Sequence, residues 1–206
     1  MAKFFKYFPK VYYDLTGKDG LDVVTNITTR FGFEQNLVGN SLVYYNYDIQ
    51  EGDTPEIIAY KFYKDPERHW IVLLYNNIMD PQIDWPLFGD AFNRYIDKKY
   101  EGDGGISWAL NASNIHSYYK VSTRTSDDSS IIEKFQITLE EYANTAIESH
   151  SYTLQDGEVI TEDITKETKT YYQYEVDMND EKRKIKLLKP EFVPSVEKEF
   201  KSVIAK

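Results

Sequence analysis

The side chains best suited to catalysis or metal binding are few in this chain, and they are badly spaced for either task. Histidines occur at His69, His116 and His150, with no His-x-His or His-x-x-x-His pair among them. The spacing that lets one helix or strand aim two imidazoles at an ion is therefore missing. Adjacent carboxylates stand at Asp127-Asp128 and Glu140-Glu141. Neighbouring positions point to different sides of a helix or strand, so neither pair converges on a scissile bond. Cysteine is absent, which excludes disulfides, thiol nucleophiles and thiolate metal sites. No Gly-x-Ser-x-Gly element or phosphate-cradling glycine loop appears, and Gly102-Asp103-Gly104-Gly105 reads as the end of a helix. The expectation is a protein without catalytic residues, metal or cofactor.

Charge narrows the partners. The 206 residues carry a net charge of −10. It is spread evenly, with 11 basic against 16 acidic residues through Asp103 and 13 against 18 after it. Phosphate recognition needs clustered Lys and Arg, so nucleic-acid binding is not expected, and an anionic membrane surface would repel the chain. Lys6 and Lys10 interrupt the apolar residues at the start, so no signal-peptide core is read there. No apolar run approaches the ~20 residues that span a bilayer. A soluble chain without an export signal is the expectation. Its 18 Tyr and 11 Phe predict an aromatic core and aromatic interfaces.

The elements follow from local signals. Residues 44–50 form a β-rich run that stops at Glu51-Gly52-Asp53. Thr54 then caps a helix with Pro55 at its first position, and Ile58, Ala59 and Phe62 form one apolar face. Asp65-Pro66-Glu67 starts a second helix, with Trp70, Leu73 and Leu74 on its inner face and Asn76-Asn77 at its end. A loop over 78–86 with room for one short strand follows. A third helix spans 86–99, with Phe88, Phe92 and Ile96 on one side. Residues 106–130 are polar, with a strand-like piece near 115–121. Thr138-Leu139-Glu140-Glu141 matches a capping box. Thr170, Tyr172, Tyr174 and Val176 alternate as a strand would, Asn179-Asp180-Glu181 reads as a turn, and 182–189 as the returning strand. A closing helix places Val196, Phe200, Val203 and Ile204 on one face.

One ordered set carries most information: Tyr47-x-Ile49-x-x-Gly52-Asp53-Thr54-x-x-x-Ile58-Ala59-x-x-Phe62, then Leu73-Leu74-x-Asn76-Asn77, then Asp80-Pro81. This resembles the LysM module, a strand–helix–helix–strand unit. With Pro66, Trp70 to Asn77, Trp85, the aromatic Phe4-Phe5 start and the tail from Asp180 to Glu191, the chain is similar to the LysM-containing baseplate wedge subunits of contractile-tailed (myovirus-type) bacteriophages. The resemblance implies an α+β fold: an N-terminal arm (1–43), a LysM-like module (44–88), a connecting helix (89–103) and a β-rich extension ending in a short helix (104–206). It implies a structural, non-enzymatic role in the virion's tail baseplate, assembled in the host cytoplasm. The implied partners are other baseplate wedge proteins, with sheath-proximal or hub proteins as further candidates.

In LysM modules the glycan groove lies between the loops that here are 52–54 and 78–85. Gly52, Asp53, Thr54, Asp80 and Trp85 are therefore the candidate site, either for a partner or as a vestigial glycan groove. Peptidoglycan or chitin binding is the alternative function. A cell-wall hydrolase with a LysM anchor is a further rival, which lacks converging acids in 104–206. Trp85 either stacks on a ligand or covers the module's own core, and the core role has precedence because Trp is usually well buried. From Glu140 to Glu181 there are twelve acidic and two basic residues, and from Lys182 to Lys189 five basic and no acidic ones. This pattern fits either cross-strand pairing within a hairpin or docking on a charged neighbour. Tyr171, Tyr172, Tyr174, Lys182, Arg183, Lys184, Lys186 and Lys189 are the interface candidates. Residues 168–206 are expected to form a docking ribbon that the module does not need for folding.

Overall fold

The computed structural model describes residues 4–14, 20–33, 39–126, 129–155 and 157–204. Asp127-Asp128 lie outside these. The fold is mixed α+β, and the chain forms two compact units. Unit one comprises 1–86 and 180–206, and unit two comprises 87–179. Among the described residues no helix is long and apolar enough to cross a membrane.

Unit one opens with a 3-10 turn, Phe4–Tyr7, and an antiparallel hairpin of β1 (Lys10–Tyr13) and β2 (Asp22–Thr25). Strand β3 (Tyr44–Asp48) leads through Gly52, whose φ of +85° is a conformation glycine adopts without strain, into α1 (Pro55–Tyr63). Thr54 has extended backbone, and its hydroxyl accepts from Ile57 N–H at 3.3 Å, so the capping read from the sequence holds. Helix α1 buries Pro55, Ile58, Ala59 and Tyr63 and ends at Lys64 in the left-handed region. Asp65 caps a 3-10 turn, Pro66–Arg68, that runs into α2 (His69–Tyr75). Its buried residues are Trp70, Ile71, Val72 and Tyr75. Leu73 and Leu74, expected inside, are only half-buried, whereas Ile71 and Val72 are fully buried.

Three expectations fail in the segments that follow. The 78–86 loop holds no strand; it holds the short helix α3 (Pro81–Asp84), capped by the Asp80 carboxylate. The strand that pairs with β3 is β8 (Lys184–Leu188), antiparallel, with Tyr44 opposite Leu188 and Asp48 opposite Lys184. Asn76 fixes it in place: its Oδ1 accepts from Lys186 N–H at 2.7 Å, and its Nδ2 donates to the Lys186 and Val72 carbonyls at 2.7 and 2.8 Å. One amide thus joins the end of α2 to β8. Helix α8 (Val193–Ile204) then buries Val193, Val196, Phe200 and Ile204, whereas Val203 faces solvent. Phe200 lies 4.8 Å from Trp70, stacks on Phe4 at 5.2 Å and meets Phe31 edge-on. Arg68 Nε donates to Glu197 at 2.8 Å and ties α8 to the start of α2. The expectation that 168–206 is dispensable is therefore corrected: Ile185, Leu187, Leu188 and the inner face of α8 belong to the core that Trp70 and the N-terminal phenylalanines close.

Unit two contains α4 (Gly89–Lys99), α5 (Gly105–Leu110), β4 (Ile115–Thr125), β5 (Ser130–Ile137), α6 (Leu139–Asn144), β6 (Glu148–Thr153) and β7 (Val159–Thr170). The strands form an antiparallel sheet in the order β5-β4-β7-β6. The capping box at Thr138 and Glu141 is present. Phe92, Ile96 and Ala109 form the buried core, with Leu87, Tyr100, Trp108, Tyr171, Tyr172 and Val176 packed on it. Gly105, at φ +69°, lies against the Asp97 carboxylate, which a Cβ there would have to push aside.

The last element is misread by alternation. Thr170 ends β7, but residues 171–176 are not a strand and 179–181 are not a turn; both lie in α7 (Tyr171–Arg183), which leaves unit two at Asn179. Tyr171, Tyr172, Glu175, Val176 and Asn179 follow the helical period as well as the alternating residues follow the strand period. A local signal decides between them. Thr170 Oγ1 accepts from Gln173 N–H at 3.2 Å and Gln173 Oε1 accepts from Thr170 N–H at 2.9 Å, the reciprocal pair that opens a helix. Asn179 closes the unit by binding both backbone groups of Leu87, at 2.8 and 2.9 Å.

Candidate functional site

The loop from Gly52 to Thr54 is organised around Asp53. The turn buries its carboxylate, which collects three donors. Oδ2 accepts from the Tyr47 hydroxyl at 2.6 Å and from Gln50 N–H at 3.1 Å, and Oδ1 accepts from the Lys61 ammonium. The Asp53 carbonyl accepts from Trp85 Nε1 at 3.0 Å. The two loops of the candidate groove are therefore joined by the Trp85 indole, which is half-buried and serves its own unit. Asp80 is exposed, caps α3 through Gln82 N–H at 2.9 Å, and shares the loop with Asp84, whose Oδ2 accepts from the Asp80 and Met79 N–H groups.

Burial alone would raise the Asp53 pKa. Hydrogen bonds from Lys61, Tyr47 and the Gln50 backbone outweigh it and hold the carboxyl below its ordinary value. The Tyr47 hydroxyl is pushed up by burial and by donating to Asp53. This is a stabilising hub held in the ionised state. Because the folded pKa is depressed, its stabilisation is complete above the unfolded value of about 3.9 and is lost as pH falls through the folded value. Asp53→Ala, which leaves the Tyr47 hydroxyl and Gln50 N–H without their acceptor, should cost about 1–3 kcal/mol at neutral pH. In urea melts the gap to wild type should narrow at pH 3. An equal gap at both pH values would contradict the charge-based role.

The interface candidates fall in two places. Tyr171, Tyr172 and Tyr174 belong to unit two and are half-buried there. Tyr171 packs at 4.7 Å from Trp108, Tyr172 meets Phe92 edge-on, and Tyr174 stacks on His116 at 3.7 Å. The basic residues belong to unit one. Lys182 Nζ donates to the Ile83 carbonyl at 2.8 Å, and Arg183 Nε donates to the Ile49 carbonyl at 3.3 Å and pairs with Asp48. Lys186 and Lys189 lie over the rings of Tyr44 and Tyr45 at 4.7 and 5.2 Å. Lys184 is exposed at the start of β8. The basic run thus lines the β3–β8 pair and meets its tyrosines.

A second buried hub, in unit two, carries no motif. Glu175 Oε1 accepts from Lys99 Nζ and from the Tyr100 hydroxyl, each at 2.7 Å. Burial and the Glu175 carboxylate push the Tyr100 pKa up. The only sequence signal was a glutamate on the inner side of α7, visible once that segment is read as a helix. Among the described residues, no group of three or more His, Asp or Glu side chains is placed to hold a metal ion.

These features define a class: an α+β protein with a helix-packed unit of two small two-stranded sheets, a second unit bearing a four-stranded sheet, and polar hubs whose groups are engaged within the protein. The chain belongs to the base plate wedge protein 53 family, whose model matches residues 4–202. A comparison with curated proteins returned no match.

Proposed function

We propose that this chain is a structural subunit of a phage tail baseplate wedge that joins neighbouring wedge proteins by binding and geometry, without catalysis. The observation that carries the reading is the family match across residues 4–202. The partners are other baseplate wedge proteins, with sheath-proximal or hub proteins as further candidates, and the site of action is the virion's tail baseplate after assembly in the host cytoplasm.

Within that role we read β3, α1, α2 and β8 as a LysM-like strand–helix–helix–strand module whose closing strand arrives after unit two. The antiparallel β3–β8 register and the Asn76 clamp support this. Glycan binding is not part of the reading, because the Asp53 carboxylate, the Trp85 N–H and the Asp80 carboxylate all serve internal partners. Calorimetric titration with chito-oligosaccharides should show no saturable heat. Saturable binding lost in Asp53→Ala or Trp85→Ala would reverse that. The assembly role is tested by co-expressing the tagged chain with the wedge proteins encoded beside it. Recovery of a stoichiometric complex is expected, and recovery of the tagged chain alone would contradict it.

A further inference from the structure

Among the described residues, unit two has a sheet edge that no further strand covers. Strand β5 is one edge of the β5-β4-β7-β6 sheet, and of its eight residues only Ile137 is even half-buried. Ile131, Ile132 and Phe135 are 56%, 67% and 51% exposed. Edge strands present a row of unpaired N–H and C=O groups, which proteins usually guard with proline, a bulge or an outward lysine. Strand β5 has no proline, and its pairing to β4 runs without a register shift from Thr125↔Ser130 to Tyr118↔Ile137. Its one lysine, Lys134, is drawn back over the sheet, with its ammonium 4.6 Å from the Tyr119 ring and paired with Glu167. The opposite edge, β6, is shorter and polar.

The register says what kind of contact these side chains suit. Ile131 and Phe135 stand opposite Arg124 and Lys120, and Ile132 stands opposite Thr123, so the apolar residues of β5 project to both faces of the sheet. A partner laid on one face would cover only one set. A strand added alongside would flank both, because its own side chains alternate. Charge selects the partner. Unit two carries 17 acidic against 8 basic residues, a net of −9, whereas unit one carries 17 against 16. Glu133 lies within the edge strand, and exposed Glu140 and Glu141 follow it. A second copy of the chain would bring its own −9 to the contact and be repelled.

We propose that β5 is a docking edge for an extended, Lys- or Arg-bearing segment of another protein, which adds as a fifth strand and covers Ile131, Ile132 and Phe135. The inference rests on the assembly role proposed above, and it names the chemistry of one partner segment.

The test uses the full chain co-expressed with the neighbouring wedge proteins, comparing wild type with the double variant Ile132→Lys/Phe135→Lys. Both positions are solvent-facing, so the variant should melt close to wild type. It should recover the complex at least about tenfold less well, as loss of central apolar contacts at an interface does. Raising the salt should weaken the wild-type complex. In the wild-type complex, alternate β5 amides should become protected from hydrogen exchange relative to the free chain. A variant that assembles as well as wild type overturns the edge proposal and leaves the assembly role intact. Lost assembly with β5 amides still fully exchanging places the partner on a sheet face and also overturns it. Failure of the wild-type chain to assemble at all removes both.

Discussion

Ending the chain at Arg183 should abolish the cooperative unfolding of unit one. The deletion removes β8 and α8 together. It strips β3 of its pairing partner and takes away Leu187, Leu188, Val193, Val196, Phe200 and Ile204, all buried. Burying side chains of this kind contributes about 1.5–3 kcal/mol each, so their sum rivals the ~5–15 kcal/mol by which whole domains are stable. The Asn76 amide would lose both Lys186 bonds as well. The measurement is near-UV circular dichroism through a thermal melt. Loss of the aromatic signal from the Trp70–Phe200 cluster and of its transition is expected. A truncated chain that keeps a cooperative transition near the wild-type temperature would mean that residues 184–206 are an appended dock after all.

Trp70→Ala is the largest single-residue effect expected, at about 3–5 kcal/mol for a large aromatic truncated in a core. Trp70 is buried where three chain segments meet: Phe4 from the start at 5.4 Å, Phe31 edge-on, and Phe200 from α8 at 4.8 Å. Its ring neighbours also pack on one another, Phe4 stacked on Phe200 and Phe31 edge-on to it. Histidine substitutions should be far milder. His69 meets the Pro66 carbonyl, and His150 is exposed beside Glu148. Urea melts decide the matter; a Trp70→Ala midpoint within error of wild type would contradict the three-segment core.

What could be read in advance was what is written locally. Thr54-Pro55, Asp65-Pro66 and Thr138 with Glu141 announce helix starts, because a cap satisfies N–H groups within three residues. Asn77 ends α2 with a positive φ for a similarly local reason. The partner of β3 was not legible, since nothing in 44–50 points past the whole of unit two to 184–188. Alternation alone misreads α7, whose start is marked by the reciprocal Thr170–Gln173 hydrogen bonds. At the candidate site the loop residues Gly52, Asp53, Thr54 and Trp85 were singled out, but the donors that define Asp53 were not. Tyr47 reaches it from the strand before the turn and Lys61 from two turns into α1, and only the folded loop brings them together.

The claim that this chain is a built-in part of the tail is tested most directly by cryo-electron microscopy of intact tails from the phage that encodes it. Density for both units is expected at every wedge of the baseplate, with the β3–β8 pair and the Trp70 core as described and β5 continued by a strand of another protein. Tails whose baseplates are complete without any density for this chain would contradict it.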